Sequence, residues 1–79
     1  MALNRITEVE HLNLAETHIA GAERQITKQT VIRDRLRMDG HDTREADWML
    51  ASFVGVLETL HAHRVLILDV IRDIDDGRV

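Results

Sequence analysis

From Leu12 to Leu36, and again from Ala46 to Ile74, apolar and small residues return at alternating steps of three and four, and a single turn near the centre of the chain separates the two runs. The first run is Leu12, Ala15, Ile19, Ala22 and Ile26, then, past the polar positions Gln29 and Arg33, Leu36. The second is Ala46, Leu50, Phe53, Leu57, Leu60, Arg64, Ile67, Ile71 and Ile74. Such spacing draws a narrow apolar stripe along one side of a helix, the a and d seam of a coiled coil. No proline interrupts either run, so nothing in the chain kinks or breaks a helix in the way a missing amide and a bulky ring would. The pattern predicts an all-α fold of two long helices.

The interruption reads MDGHDTREADW, Met38 to Trp48. Gly40 fits the left-handed position just past a helix end, where a β-carbon is penalised. Asp42 can accept hydrogen bonds from the first free amides of a second helix, with Glu45 three residues on to reciprocate. A glycine stop followed so soon by an Asp/Thr start makes a tight helical hairpin. At the other end, TEVE at Thr7 to Glu10 is a candidate capping box and Asn4 a competing cap one turn earlier. The expected unit, 1–79, is therefore helix one over about 5–38, a turn at 39–42, and helix two over about 43–75, fraying around Asp75 to Gly77. Each arm spans roughly 45 to 50 Å. Antiparallel pairing about Gly40 and His41 gives partner numbers summing to roughly 81 to 84. Ile32 then lies near Met49, Gln25 near Val56, His18 near His63, and Arg37 near Asp47.

Helix two is apolar over more than one stripe. Val54, Val56, Val65, Leu66, Leu68 and Val70 fall outside the seam that helix one can cover, and an arc that wide on a lone hairpin leaves a large exposed patch. A second hairpin would cover it. The expected architecture is thus an antiparallel coiled-coil hairpin that pairs into a four-helix bundle. Its association surface is expected to comprise Leu50, Phe53, Val54, Val56, Leu57, Leu60, Ile67, Leu68 and Ile71, with Trp48 either packed over the turn or in the dimer interface in preference to serving as an exposed anchor. Ala20, Gly21 and Ala22 leave space that Phe53 of a facing helix could occupy.

Size points the same way. A chain of 79 residues buries a modest share of its unfolded surface, and with no cysteine it has neither disulfides nor thiolate metal ligands. Oligomerisation is the simplest remaining source of stability. With 14 acidic and 10 basic residues the net charge is −4, too little field to draw nucleic acid or an anionic membrane. The opening MALNRITEVE lacks a signal-peptide core, and the most apolar segments, LASFVGVL and VLIL, fall short of the ~20 residues that span a bilayer. A cytoplasmic setting with no membrane contact is expected.

Five histidines are the only obvious chemical groups. His61 and His63, two apart, point away from one another on a helix; His11 and His18 share a face but lie roughly 10 Å apart. The one plausible metal pair is His18 with His63 across the hairpin, joined by Glu16 or by a symmetry mate. The plainer reading makes them polar residues flanking the seam, and no cofactor is expected. Several imidazoles gathered across a dimer would loosen it as they charge below about pH 6.5. KQTVIRDRLR, Lys28 to Arg37, concentrates base near the turn with Arg44 beyond, but Asp34, Asp39, Asp42, Glu45 and Asp47 are interleaved, so nucleic-acid binding through these arginines is a minor alternative. Arg33 and Arg64 occupy seam positions, where the stem is expected to snorkel and the guanidinium to reach solvent or a carboxylate. Catalysis would require Ser52 or a threonine beside a histidine in a concave pocket, which a two-helix rod does not offer. The chain is expected not to be an enzyme.

Over residues 15–68 the sequence resembles a group of small, functionally uncharacterised proteins of alphaproteobacteria. The resemblance rests on the turn Asp39 to Thr43 (DGHDT) and on Met49, Leu50, Phe53, Leu57, Leu60, His63 and Arg64. It implies a helical hairpin in a bacterial cytoplasm and no particular activity. Turn chemistry accounts for part of the motif and leaves His41, His63 and Arg64 as candidates for a shared role. The expected function is a protein-interaction or regulatory module that forms a homodimer and engages a protein partner not named by the sequence.

Overall fold

A cap one turn earlier than TEVE starts the first helix. In the computed structural model, which describes residues 4–78 of the expected unit 1–79, the Asn4 carboxamide oxygen accepts from the amides of Ile6 at 2.9 Å and Thr7 at 3.4 Å. Asparagine is among the best residues at this position, since it satisfies amides that have no partner inside the helix. Thr7 to Glu10 lie within the helix. Helix α1 runs Arg5–Met38.

Two hydrogen bonds end it. The His41 amide donates to Leu36 O at 2.9 Å and the Gly40 amide to Arg37 O at 3.1 Å, with Gly40 at φ +75°. This is a Schellman stop, and it needs glycine at the left-handed residue. Helix α2, Arg44–Asp75, ends in the same motif. Arg78 donates to Asp73 O at 2.8 Å, Gly77 to Ile74 O at 3.1 Å, and Gly77 has φ +74°. The Asp-Gly pair recurs at both stops, 39–40 and 76–77. In place of the expected fraying, the chain closes its second helix with a defined cap.

The start of α2 is built less tightly than expected. Thr43 occupies the cap position but makes no side-chain bond to the helix amides; its hydroxyl donates to the Asp47 carboxylate at 3.0 Å. Asp42 accepts from the Arg44 amide at 2.9 Å. Glu45 takes no part, because the short path from Gly40 spends Asp42 on the Arg44 backbone and side chain before a reciprocal box can form.

The two helices fold back on one another as a hairpin of 59 × 17 × 15 Å, with no strand among the described residues. Every residue of the two seams, polar members included, is buried or half-buried. Ala15, Ile67 and Ile71 form a cluster near the open end, with Val9 and Leu12 packed on it. Small Ala15 leaves room for the two isoleucines to sink between the helices. Even so, no large side chain among the described residues is fully buried, because a helix pair can shield a seam residue from one side only.

Three cross-helix ion pairs fix the register. Arg5 Nε meets Asp75 at 2.7 Å, Arg64 Nε meets Glu16 at 3.0 Å, and Arg33 Nε stands 3.8 Å from Asp47. In each, partner numbers add to 80, just outside the expected range. Asp47 therefore faces Arg33 and not Arg37, one helical turn nearer the middle of α1.

Candidate interaction surface

The hairpin has two unlike flanks. Helical residues advance by about 100° each, so positions seven apart stay on one side of the seam. On one flank α1 carries Glu16, Glu23 and Arg37, and α2 carries Asp47, Val54, His61, Leu68 and Asp75. All three cross-helix ion pairs lie here. The seam arginines Arg33 and Arg64 keep their stems between the helices and turn their guanidinium groups to this side. Arg33 also meets Asp34 at 3.0 Å.

The other flank is a groove. Its walls are His11, His18, Gln25 and Ile32 of α1, each seven from the next, and Met49, Val56 and His63 of α2 at the same spacing. Three hollows follow one another along it. The middle one, about 490 Å³, is lined by Gly21, Ala22, Gln25, Phe53, Val56 and Leu60 together with Thr17 and His18. A smaller hollow of about 130 Å³ at the open end shares His18 and Leu60 with it and adds His11 and His63. The third, about 450 Å³, lies toward the turn beside Ile32 and Met49 and has Asp42 and Glu45 at its rim. Phe53 lines the middle hollow beside Gly21 and Ala22 without filling it.

The residues expected to mediate association divide into three sets. Ile67 and Ile71 are buried inside the hairpin, clustered with Ala15 and packed on by Leu12 and Val9 of α1. Leu50, Phe53, Leu57 and Leu60 are half-buried along the seam. Val54, Val56, Leu68 and Trp48 are exposed. Trp48, 70% exposed, stands almost opposite the seam and does not pack over the turn. Of the valines and leucines read as lying outside the seam, Val54, Val56, Val65, Leu66 and Leu68 are exposed and Val70 is half-buried. Gln25, Ile32 and Met49 do not figure among the expected association residues; the seven-residue spacing of Gln25 and Ile32 with His11 and His18, and of Met49 with Val56 and His63, is the signal that marks them.

His18 and His63 come to one hollow, with His11 beside them. Glu16, the expected carboxylate partner, lies on the opposite flank in the hold of Arg64. Among the described residues no group of three or more His, Asp or Glu is arranged to hold a metal ion. His11 Nδ1 is 3.5 Å from Glu8. Near the turn, Arg44 and Asp42 meet at 2.7 Å and Arg35 approaches Asp39 at 4.0 Å. Hydrogen bonds from the Arg44 side chain, then from its backbone amide, hold the Asp42 carboxyl below its ordinary value, and the same contact raises Arg44. Asp75 likewise raises Arg5, by its hydrogen bond first and its charge second. With Arg33 also paired, three of the four arginines near the turn already face carboxylates.

The hydroxyls serve the helices. Ser52 donates to Trp48 O at 3.0 Å, and Thr17, Thr27, Thr30 and Thr59 each donate to the carbonyl four residues back. No helix among the described residues is long and apolar enough to cross a membrane.

Fold and flanks together define an all-helical, two-helix hairpin with one ion-paired side and one grooved side. Comparison with protein-family models, curated proteins and solved structures finds no match to this chain, so no residue role is carried over from another protein.

Proposed function

We propose that this chain is a non-enzymatic protein-interaction module, a helical hairpin that self-associates, two copies making a four-helix bundle in the cytoplasm. One observation carries the reading. The hairpin exposes 5969 Å², whereas a folded monomer of its 9.1 kDa mass exposes about 4,900 Å². The excess includes large apolar side chains on α2, of the kind that mark interaction surfaces. The engagement of the hydroxyls by their own helices and the openness of the hollows support a role without catalysis.

Light scattering over a range of concentrations, with circular dichroism on the same samples, tests it. The expected result is a helical dimer that loses helicity on dilution, as mass action requires when the folded state is the associated one. A helical monomer at every concentration overturns the proposal.

A further inference from the structure

The exposed apolar side chains of α2 point in several directions, and self-association alone does not say which of them meet a second copy. The two flanks decide. In an isologous interface the same patch faces itself across a two-fold axis, so a charged group close to the axis meets its own like-charged image. The ion-paired flank presents Glu16, Glu23, Asp47 and Asp75 interleaved with Arg5, Arg33, Arg37 and Arg64, charges that would have to give up water if the flank were buried against a copy of itself. The middle hollow of the groove has no Asp, Glu, Lys or Arg in its lining. It also lies near the middle of the rod, where a two-fold axis uses the full length of both hairpins.

Size agrees. The excess surface of the lone hairpin, about 1,100 Å² over a folded monomer of its mass, exceeds the ~800 Å² that each partner buries in an interface of ordinary size. At the centre of the groove Gly21 has room for a β-carbon, which would meet only the far end of Arg24 at 3.7 Å. Nothing within the hairpin requires a glycine there, although a glycine inside a helix costs about 1 kcal/mol relative to alanine. Close approach of a second helix gives that glycine a purpose.

We propose that two copies of this chain pair groove to groove, the axis crossing near Gly21 and Val56, with the turn of each hairpin beside the open end of the other. This rests on the self-association proposed above and adds its surface and its direction. The direction follows from charge. One end of the groove carries Asp42 and Glu45 and the other carries His11, His18 and His63. Antiparallel pairing sets the acidic end of one copy toward the imidazole end of its mate, whereas parallel pairing opposes acid to acid and imidazole to imidazole.

Val56 and Val65 offer a matched test, being the same residue at nearly the same exposure, 52% and 53%, on different sides of α2. Val56→Lys places an ammonium in the groove and is expected to raise the dimer dissociation constant about 100-fold, the scale of an unpaired charge in an interface. Val65→Lys is expected to leave it within about threefold. If wild type dimerises while Val65→Lys dissociates it and Val56→Lys does not, the groove is not the interface. If wild type is monomeric, self-association itself fails.

Cysteine cross-linking in this cysteine-free chain reads the groove without a charged substitution, should Val56→Lys lose its helicity. With a short bis-maleimide linker Gln25→Cys, one helical turn from the axis and so roughly 12 Å from its mate along the rod, is expected to give a covalently linked dimer, and His41→Cys, at the turn, is not. Failure of Gln25→Cys to cross-link a dimeric sample overturns the groove interface. Ready cross-linking of His41→Cys overturns the antiparallel direction.

Discussion

Arg64 Nε donates to Glu16 Oε1 at 3.0 Å across the hairpin, which places a cation from the apolar seam of α2 against an anion on the ion-paired flank of α1. Both side chains stay well exposed, 37% and 51%, so solvent screens the attraction and the pair contributes at most about 1 kcal/mol. Glu16→Ala should therefore shift the thermal midpoint only slightly at fixed protein concentration. Arg64→Leu fills the seam and should raise it by several degrees, since about 1 kcal/mol moves a domain of this size by roughly 4–8 °C. A fall in midpoint for Glu16→Ala as large as that for Ile67→Ala, a core truncation of about 2–5 kcal/mol, would contradict this reading.

The same substitution should act with opposite sign at different glycines. Gly40→Ala puts a β-carbon on a residue at φ +75° and should cost about 1–2 kcal/mol. Gly55 sits inside α2 with no atom within 4 Å of a β-carbon built on it, and Gly55→Ala should gain about 1 kcal/mol in helix propensity. Urea denaturation of both variants at one protein concentration checks the pair. A stabilised Gly40→Ala would mean the Schellman stop does not set the turn.

Acid should weaken the turn through Asp42. Its carboxyl is held below the ordinary value by Arg44, so the folded state favours the ionised form. The resulting stability is present above the unfolded carboxyl value of about 3.9 and is lost as pH falls through the lower folded value. In Asp42→Asn the thermal midpoint should fall less steeply between pH 5 and pH 2 than in wild type. Identical slopes would show that the pair adds nothing to folding.

Trp48 is the only tryptophan and faces away from both the seam and the groove. Its emission should stay solvent-like and open to acrylamide quenching from the most dilute helical sample to the most concentrated. A blue shift that grows with concentration would put the back of α2 at the interface.

The seams were legible in the sequence because period is a property of position. Leu12 through Leu36 and Ala46 through Ile74 come out buried or half-buried at every step, and Gly40 lies where its φ requires. The choice between Asn4 and Thr7 as cap was not legible, because both meet the same local rule and only the built helix gives Asn4 the Ile6 and Thr7 amides. Arg33 and Arg37 are one turn apart on α1, so a small error in register exchanged them as partners of Asp47. The inward position of Ile67 and Ile71 depends on the small volume of Ala15 opposite, and apolar character alone does not separate a residue that faces its own hairpin from one that faces another molecule. The groove flank was obscured for a related reason: its histidines, glutamine and methionine share spacing, not hydropathy.

The Arg5 to Asp75 contact closes the end of the hairpin away from the turn, and this sets how the molecule would bear load. Tension that draws residues 5 and 75 apart acts on that ion pair first and then on one seam layer at a time, like a zip. Tension along the rod, from the turn to the open end, runs through the helices themselves and loads their backbone hydrogen bonds, not the seam between them. A hairpin built this way yields gradually to a pull at its ends and resists one along its length.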